Sequence, residues 1–322
     1  MTIRKPELGA HEVILDRPEA EETVQKHFAD ELRALVDLVD YGTHLIPRCW
    51  TSSSKGIPDM VVLTILLKQA IALLDGAEVL LTAGCVPQVW LQLRGLFEVS
   101  VYLDWTLRRD TDRRAKAYFV ANLRRRLTWA RRTQAGTTEN EGIQREMREI
   151  GGLDLSALHE TSQAEIDTVM RQLNRREFRQ LNAAFTRRRG RSTFDPDWFV
   201  VLFPRKRKHR PSLYTLAKST GRAAQYRLIY ERGSETMHSS SSYGHVEVGG
   251  GKLLIHSLRE LGEANLVAVQ LAGQTLVTYQ TILAHYRPAE LENFGRKYVQ
   301  EWQHVIQTRK KVNYDYTERT IG

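Results

Sequence analysis

The sequence predicts an all-α protein, a multi-helix bundle that carries a basic helical insertion or cap. Apolar residues recur at helical spacing through most of the 322 residues. The chain also lacks the alternating strands and Gly-rich turns of nucleotide-binding α/β enzymes, and it shows no repeat of 20–50 residues. A hydrophobic content of 42% without low-complexity segments excludes a disordered protein.

The first predicted segment, residues 1–57, is acidic and helical. Apolar side chains recur at helical spacing over residues 19–45, and a polar loop over residues 51–58 ends the helix. Residues 1–86 carry 8 Lys and Arg against 13 Asp and Glu, a balance of −5. Because the opening residues are charged, no signal peptide is expected.

Residues 58–138 are predicted to form core helices. Pro58 suits the first turn of a nearly all-apolar helix over residues 60–81, and this composition places the helix inside the bundle. Helices over residues 88–108 and 111–134 follow. No apolar run reaches the roughly 18–20 residues that cross a bilayer, so we expect no membrane association.

Residues 139–211 are predicted to form the basic helical insertion or cap. Residues 87–210 carry 26 Lys and Arg against 15 Asp and Glu, a balance of +11. Helices are expected up to residue 147 and over residues 162–188. The prolines of residues 189–211 then exclude a continuous helix, although residues 198–203 form a compact apolar plug.

Residues 212–322 are predicted to return to core helices. Helix resumes near Ser212 and over residues 221–238, and a short strand pair follows around residues 246–248 and 253–256. Helices over residues 258–285 and 288–311 complete the fold. The basic residues 309–311 suit the dipole at a helix C-terminus.

Cysteine use predicts a reduced protein of the cytoplasm. Cys49 and Cys85 are the two cysteines of the sequence, both in apolar or aromatic surroundings, and two such residues cannot build a disulfide framework. No zinc-ligand spacing occurs in the sequence. We therefore expect neither a metal nor another cofactor.

The first candidate site is the pair formed by Arg94 and Glu98. These residues are four positions apart in a strongly apolar helix, so they share one face and are expected to be partly buried. One interpretation is a structural ion pair, since a buried charge needs a partner. The other is an arginine that holds a phosphate while Glu98 fixes the orientation of its guanidinium.

The second candidate site is the segment that leads to His238. Ser234 and His238 lie on one helical face, Arg232 is offset from them, and four consecutive serines follow. A histidine beside an arginine can carry a proton near neutral pH. The alternative is a histidine that caps or packs a helix. Tyr230 and Ser234 are expected to support the site.

The two candidate sites together carry a family resemblance. Arg94-x-Leu-Phe-Glu98 on an apolar helix is followed by Tyr226-Arg-Leu-Ile-Tyr-x-x-x-Ser-x-x-x-His238-x-Ser240. In order and spacing, over about residues 25–285, these motifs resemble the bacterial domain of unknown function family 5677. The resemblance implies a helical, intracellular protein and no particular activity.

A wider resemblance involves Arg232 and His238 alone. Arg232-x5-His238 is similar to the Arg-x4–6-His motif of the higher-eukaryote and prokaryote nucleotide-binding (HEPN) superfamily. This resemblance implies a metal-independent endoribonuclease that acts as a homodimer in toxin or antiphage defence. It assigns acid–base catalysis to His238 and phosphate stabilisation to Arg232, with Arg94 as a further cation, while the RNA 2′-hydroxyl attacks its own phosphorus.

Basic residues outside these segments point to RNA or another polyanion as partner. A planar guanidinium pairs well with phosphate, and the chain has 35 Arg against 12 Lys. Trp129 and Phe185 are candidate stacking residues for bases. The alternative is that these charges simply cover a solvated surface. The predicted nucleic-acid-binding residues are Arg205, Lys206, Arg207, Lys208, Arg210, Arg124 and Arg125.

Three functional classes follow from these observations. An endoribonuclease of the HEPN kind is the first expectation, and it predicts cleavage that requires His238. A non-catalytic nucleic-acid- or nucleotide-binding helical module predicts salt-sensitive binding without turnover. A helical protein-interaction or regulatory protein predicts neither property, but a tight partner or an oligomer interface.

Overall fold

The computed structural model describes residues 2–6, 15–149, 159–192, 194–205, 209–237, 246–249, 252–255, 258–311 and 313–317. These residues are predominantly helical, which confirms the predicted all-α bundle. The chain divides into two compact units. Residues 1–108 and 213–322 form the first unit, and residues 109–212 form the second.

The helices bury faces on which apolar residues recur at helical spacing. Their bounds agree with most of the predicted helices to within a few residues. In chain order the described α-helices are α1 (Arg17–Thr51), α2 (Ile57–Asp59), α3 (Lys68–Thr82), α4 (Val86–Arg108), α5 (Thr111–Thr133), α6 (Thr138–Glu149), α7 (His159–Leu173), α8 (Arg176–Arg189), α9 (Leu213–Ser219), α10 (Ala223–Gln225), α11 (Arg232–Met237), α12 (Ala264–Tyr286), α13 (Leu291–Lys297) and α14 (Gln303–Gln307).

Segments of π-helix join several of these helices without interruption. Met60–Leu67 joins α2 to α3, Tyr226–Glu231 joins α10 to α11, and Tyr298–Trp302 joins α13 to α14. A π-helical turn contains one more residue than an α-helical turn, so side chains after it face a different direction. The periodicity of the sequence does not predict these turns.

Four helices of the first unit close into a bundle. α3 packs on α1 and α4, and α12 packs on the same two helices, so each helix has two neighbours. Burial of each large apolar side chain stabilises the fold by about 1.5–3 kcal/mol. Fully buried side chains of this core include Phe28, Leu35, Leu74, Phe97 and Tyr279.

Two core helices are also long and apolar enough to cross a bilayer. They are the continuous helix Ile57–Thr82 and α12, whose most apolar windows have mean hydropathies of 1.8 and 1.2. Half of the first window and 61% of the second are buried within the protein, as expected for bundle helices. Length and composition therefore give only weak evidence of a membrane span, in contrast to the sequence-based expectation of none.

The last helix ends before the basic residues that were expected to finish it. α14 stops at Gln307, whereas the sequence predicted a helix to residue 311. Instead of lying at a helix end, Lys310 places its Nζ 2.8 Å from the buried carboxylate of Glu31 on α1. Asn265 donates to the other carboxylate oxygen at 3.1 Å. The predicted helix over residues 258–285 also begins later, at Ala264.

Two short strand pairs complete the first unit. The strands β2 (Val246–Gly249) and β3 (Lys252–Ile255) pair antiparallel, which confirms the predicted strand pair. The strands β1 (Thr2–Pro6) and β4 (Asn313–Thr317) pair in parallel, and the sequence did not indicate them.

The second unit begins 30 residues before the predicted insertion. Its boundary lies at Arg109 instead of residue 139 because α5 packs on α6, α7 and α8. The single helix predicted over residues 162–188 is wrong, since Asn174 and Arg175 separate α7 from α8. Arg175 has an extended backbone, with ψ of 143°, which ends the helical path there. The predicted apolar plug is buried at Trp198, Phe199, Val200 and Val201.

We expect Asp59 to contribute stability that is lost in acid. Burial raises the pKa of its carboxyl, but hydrogen bonds from Ser54, the Gly56 amide and Tyr286 outweigh burial and lower the pKa below its ordinary value. A depressed carboxyl pKa stabilises the fold above the unfolded value of about 3.9. The contribution then disappears as the pH falls through the lower, folded pKa.

Asp59→Ala should therefore lower the free energy of unfolding by about 2 kcal/mol at pH 7 and by little at pH 2. Asp40→Ala, which removes an exposed carboxylate of α1, is the matched control and should change the free energy of unfolding by less than about 0.5 kcal/mol. Urea denaturation at several pH values measures both variants. Equal losses for Asp59→Ala at pH 7 and at pH 2 would contradict the assignment.

Candidate functional site

The two predicted motif segments meet through the side chain of Arg94. Its Nε donates to Oγ of Ser234 at 3.0 Å, and its NH2 donates to the hydroxyl of Tyr230 at 2.8 Å. The guanidinium carbon also lies 4.4 Å from the centre of the Tyr230 ring. Residues that are 136 and 140 positions apart in the chain thus form one cluster, which we call the Arg94 cluster: Arg94, Tyr230, Ser234 and Met237.

A glycine brings the two helices close enough for these contacts. A β-carbon added at Gly233 would lie 2.6 Å from Cβ of Arg94 and 2.8 Å from the carbonyl oxygen of Trp90. Both atoms belong to α4 at or next to its backbone, so they cannot swing aside. Gly233 therefore permits the approach of α11 to α4, and the sequence interpretation did not include it among the site residues.

Glu98 does not pair with Arg94, so the structural interpretation as an ion pair and the orienting role of Glu98 are both wrong. Oε1 of Glu98 accepts a hydrogen bond from the hydroxyl of Tyr102 at 2.8 Å. The Arg94 guanidinium turns toward α11, and among the described residues no carboxylate lies within ion-pair distance of it. A half-buried positive charge is thereby held by neutral groups.

Arg232 of α11 contacts α4 at Trp90, one turn before Arg94, and has its own partners. Its NH2 forms an ion pair with Glu263, and its guanidinium carbon lies 5.2 Å from the centre of the Trp90 ring. Trp90 Nε1 donates to the other oxygen of Glu263 at 2.8 Å. Among the residues that the structure describes, a carboxylate thus compensates the charge of Arg232 but not that of Arg94. Sequence reasoning missed Trp90 and Glu263.

Aromatic side chains support the Arg94 cluster. The rings of Tyr226 and Tyr230 stack with centroids 4.9 Å apart, and both contact Phe97 of α4. Burial raises the pKa of Tyr226, and the neighbouring Tyr230 raises it further, so the Tyr226 hydroxyl is protonated at neutral pH. These contacts fix the ring to which the Arg94 guanidinium binds.

Arg222 anchors the start of the continuous helix over residues 223–237 in the core. It is buried and donates to Ser100 Oγ at 2.7 Å, to Gln225 Oε1 at 2.7 Å and to Gln274. Burial lowers the pKa of the guanidinium to about 10, so it stays charged at neutral pH. This arginine thereby joins α4, α12 and residues 223–237.

The described part of the Arg94 cluster ends at Met237. Met237 is the last described residue of α11, and its Sδ lies 3.9 Å from NH1 of Arg94. His238 follows it in the sequence and lies outside the described residues. Of the predicted catalytic and supporting residues, the structure brings together Arg94, Tyr230 and Ser234, and it places Arg232 and Glu98 with other partners.

The predicted nucleic-acid-binding residues divide into structural and exposed groups. Arg124 is a structural residue, because it forms a two-point ion pair with Asp195 at 2.8 and 2.9 Å and is 11% exposed. Phe185 is fully buried and cannot stack on a base. Arg125, Arg205 and Arg210 are exposed. Lys206, Arg207 and Lys208 lie outside the described residues.

Trp129 is sufficiently exposed to stack on a base. It is 60% exposed on α5, and the guanidinium carbon of Arg132 lies 4.8 Å from its ring centre. Arg125 is exposed one turn earlier on the same helix. This face of α5 therefore combines an accessible aromatic ring with cations.

The described part of the chain contains no cluster of metal-binding side chains. Across these residues, no three His, Cys, Asp or Glu side chains lie together as metal ligands would. Both cysteines are free, Cys49 buried and Cys85 half-buried. Burial raises the pKa of the Cys49 thiol to about 11, so it is neutral at physiological pH.

Comparison with known proteins gives one family and no individual relative. The model of a family described as a family of unknown function (DUF5677) matches residues 60–252, which are 193 of the 322 residues. No curated protein and no solved structure matches the chain.

Proposed function

Since the chain belongs to DUF5677, a family of unknown function, we propose its function from the geometry: a metal-independent endoribonuclease of the HEPN kind, acting at the Arg94 cluster. The match to residues 60–252 includes both motif segments and confirms the resemblance to this family. The observation that carries the proposal is the meeting of the two motifs at one guanidinium that has no carboxylate partner in the described part of the chain. Its test is RNA cleavage that depends on Arg94 and His238.

Arg94 has the properties of a phosphate-binding group. Ser234 holds its Nε and Tyr230 holds its NH2, which leaves NH1, among the described residues, with only the weak sulfur acceptor of Met237. A phosphate oxygen at NH1 would replace this weak contact with a charge-assisted hydrogen bond, which is about twice as strong as a neutral one. The neutral partners fix the guanidinium without cancelling its charge, as transition-state stabilisation requires.

The proposed reaction transfers one proton and exchanges one bond to phosphorus. His238 accepts the proton of the RNA 2′-hydroxyl, and the 2′-oxygen forms a bond to the adjacent phosphorus. The bond between phosphorus and the 5′-oxygen of the next nucleotide breaks, and that oxygen receives the proton. The products are a 2′,3′-cyclic phosphate and a 5′-hydroxyl. Arg94 stabilises the negative charge on the non-bridging oxygens.

Arg232 is proposed to act as a second cation beside the reacting phosphate. Its ion pair with Glu263 is half-exposed, so a phosphate could compete for the guanidinium in solvent. Because Glu263 also accepts from Trp90, the carboxylate would keep a partner after Arg232 turns to the substrate.

Cleavage of RNA in EDTA tests this proposal directly. We expect the wild type to cut single-stranded RNA but not DNA of the same sequence, which lacks the 2′-hydroxyl. His238→Ala should lower the rate at least about 100-fold. His304→Ala, at an exposed histidine of α14, is the matched control and should retain the wild-type rate.

Arg94→Lys separates phosphate binding from structural support. Lysine keeps the charge but cannot contact Ser234, Tyr230 and a phosphate at once, so we expect at least a tenfold loss of cleavage in a folded protein. Cleavage of DNA, or full activity of His238→Ala, would exclude the mechanism.

A second candidate function is nucleic-acid binding without turnover. The observation that favours it is the exposed face of α5, where Trp129 and its neighbouring arginines combine stacking with charge. It predicts salt-sensitive RNA binding in the absence of any cleavage, with binding weakened by Trp129→Ala and unchanged by His238→Ala.

A further inference from the structure

A pocket within the second unit brings four arginines together. It has a volume of about 280 Å³ and lies between the end of α8 and residues 192–211. Arg188, Arg189, Arg205 and Arg210 line it, together with His209, and none of its described lining residues is acidic. We call it the arginine pocket.

Within the described part of the second unit, the arginines of this pocket lack the carboxylate partners that other arginines have. Arg124 and Arg126 pair with Asp195 and Glu165. Among the described residues, by contrast, no carboxylate pairs with Arg189, Arg205 or Arg210, and all three are exposed. Like charges that converge on one small cavity repel one another, and a bound anion relieves that repulsion.

Apart from Ser192, the other residues that line the pocket are apolar, and they include an exposed aromatic ring. Pro196, Val200 and Pro211 are buried in its wall, whereas Phe194 is 71% exposed beside the arginines. A large ring next to several guanidiniums can stack on a base while the cations hold the phosphate. The volume is close to the lower bound of roughly 300 Å³ for small-molecule pockets, which suits one nucleotide better than a larger ligand.

We propose that the arginine pocket binds a nucleoside phosphate, with Arg205 and Arg210 on the phosphate and Phe194 against the base. The ligand is either a free nucleotide or the phosphorylated end of a single-stranded nucleic acid, since both present the same chemistry. This site is independent of the proposed cleavage, because it lies wholly within the second unit and binding needs no scissile bond.

Calorimetric titration of the full chain tests the proposal. The probes are adenosine 5′-monophosphate, adenosine, inorganic phosphate, and a 2′-O-methyl oligoribonucleotide with or without a 5′-phosphate. The 2′-O-methyl groups prevent the proposed cleavage, so binding is measured alone. We expect adenosine 5′-monophosphate to bind at least tenfold more tightly than adenosine, or the 5′-phosphorylated oligonucleotide at least tenfold more tightly than the oligonucleotide without a 5′-phosphate. The tighter of these ligands should also bind at least tenfold more tightly than inorganic phosphate.

Three variants assign the binding to this pocket. The double variant Arg205→Gln/Arg210→Gln should weaken phosphate-dependent binding at least tenfold and reduce its salt dependence. Phe194→Leu should weaken binding of the nucleoside phosphate about fivefold or more and leave inorganic phosphate unchanged. Arg171→Gln removes an exposed arginine of α7 outside the pocket and is the matched control.

Every outcome bears on the proposal. Preference for the free nucleotide, or for the 5′-phosphorylated oligonucleotide, supports it and identifies the source of the ligand. Equal binding of inorganic phosphate and the nucleotide would overturn the role of Phe194 and the nucleoside. No phosphate-dependent binding, or an equal loss in Arg171→Gln and in the double variant, would overturn the site itself. Thermal unfolding of each variant shows that the protein remains folded.

Discussion

Gly233→Ala is expected to lower the free energy of unfolding by about 2 kcal/mol and to reduce RNA cleavage at least tenfold. The added methyl group would meet Cβ of Arg94 at 2.6 Å and the Trp90 carbonyl oxygen at 2.8 Å. Insertion of a methyl group into such a contact costs about 1–3 kcal/mol, and α11 must move away from α4 to accept it. That movement separates Ser234 and Tyr230 from Arg94.

The same substitution elsewhere in the bundle should have the opposite effect. Gly273 lies in α12, and a β-carbon added there meets no atom within 4 Å. Alanine favours an α-helix over glycine by up to about 1 kcal/mol, so Gly273→Ala should stabilise the protein. Urea denaturation and the cleavage assay measure both variants. If Gly233→Ala behaves like Gly273→Ala in both measurements, the close contact between α11 and α4 is not formed.

The second large effect is expected at Arg124, where Arg124→Gln should destabilise the second unit by about 3 kcal/mol. The guanidinium makes two hydrogen bonds to Asp195, one of 2.5 Å to Asn182 and one of 3.3 Å to Thr186. Its carbon also lies 5.7 Å from the ring centre of buried Phe185. Removing one member of a mostly buried ion pair leaves the other charge without compensation.

Arg125→Gln is the matched control, because the neighbouring arginine is exposed and should contribute less than about 0.5 kcal/mol. Hydrogen exchange of residues 109–212 measures the loss within the second unit. A double-mutant cycle with Asp195→Asn should return a coupling energy of about 1–3 kcal/mol. If Arg124→Gln instead weakens RNA binding in a protein of unchanged stability, Arg124 is a ligand-binding residue and its structural role is refuted.

Much of the fold could be predicted because its signals are local. Apolar spacing predicted the long helices, and Pro58 predicted the start of the helix that contains α3. The break between α7 and α8 was missed because neither Asn174 nor Arg175 is a strong helix breaker. The parallel pairing of β1 with β4 joins residues over 300 positions apart, and no local pattern predicts such a pair.

The candidate site could be predicted only in part, because side-chain partners are chosen across the bundle. The sequence suggested Arg94 and the segment around Ser234, but spacing on one helix favoured Glu98 as the partner of Arg94. The π-helical segment Tyr226–Glu231 and the small Gly233 instead bring Tyr230 and Ser234 within reach. Arg124 likewise had the composition of a binding residue, and only its contact with Asp195 shows its structural role.

The division of the chain has a consequence for the order in which the protein folds on the ribosome. The second unit is continuous, so it can complete its contacts once residue 212 has emerged. The four-helix bundle of the first unit cannot complete its contacts at that point, because α12 ends 178 residues after α4. At about 5–20 residues per second, translation of that interval takes roughly 9–36 s. During this time the apolar faces of α1 and α4 that later contact α12 lack their partner, and we expect nascent chains of this length to depend on chaperones.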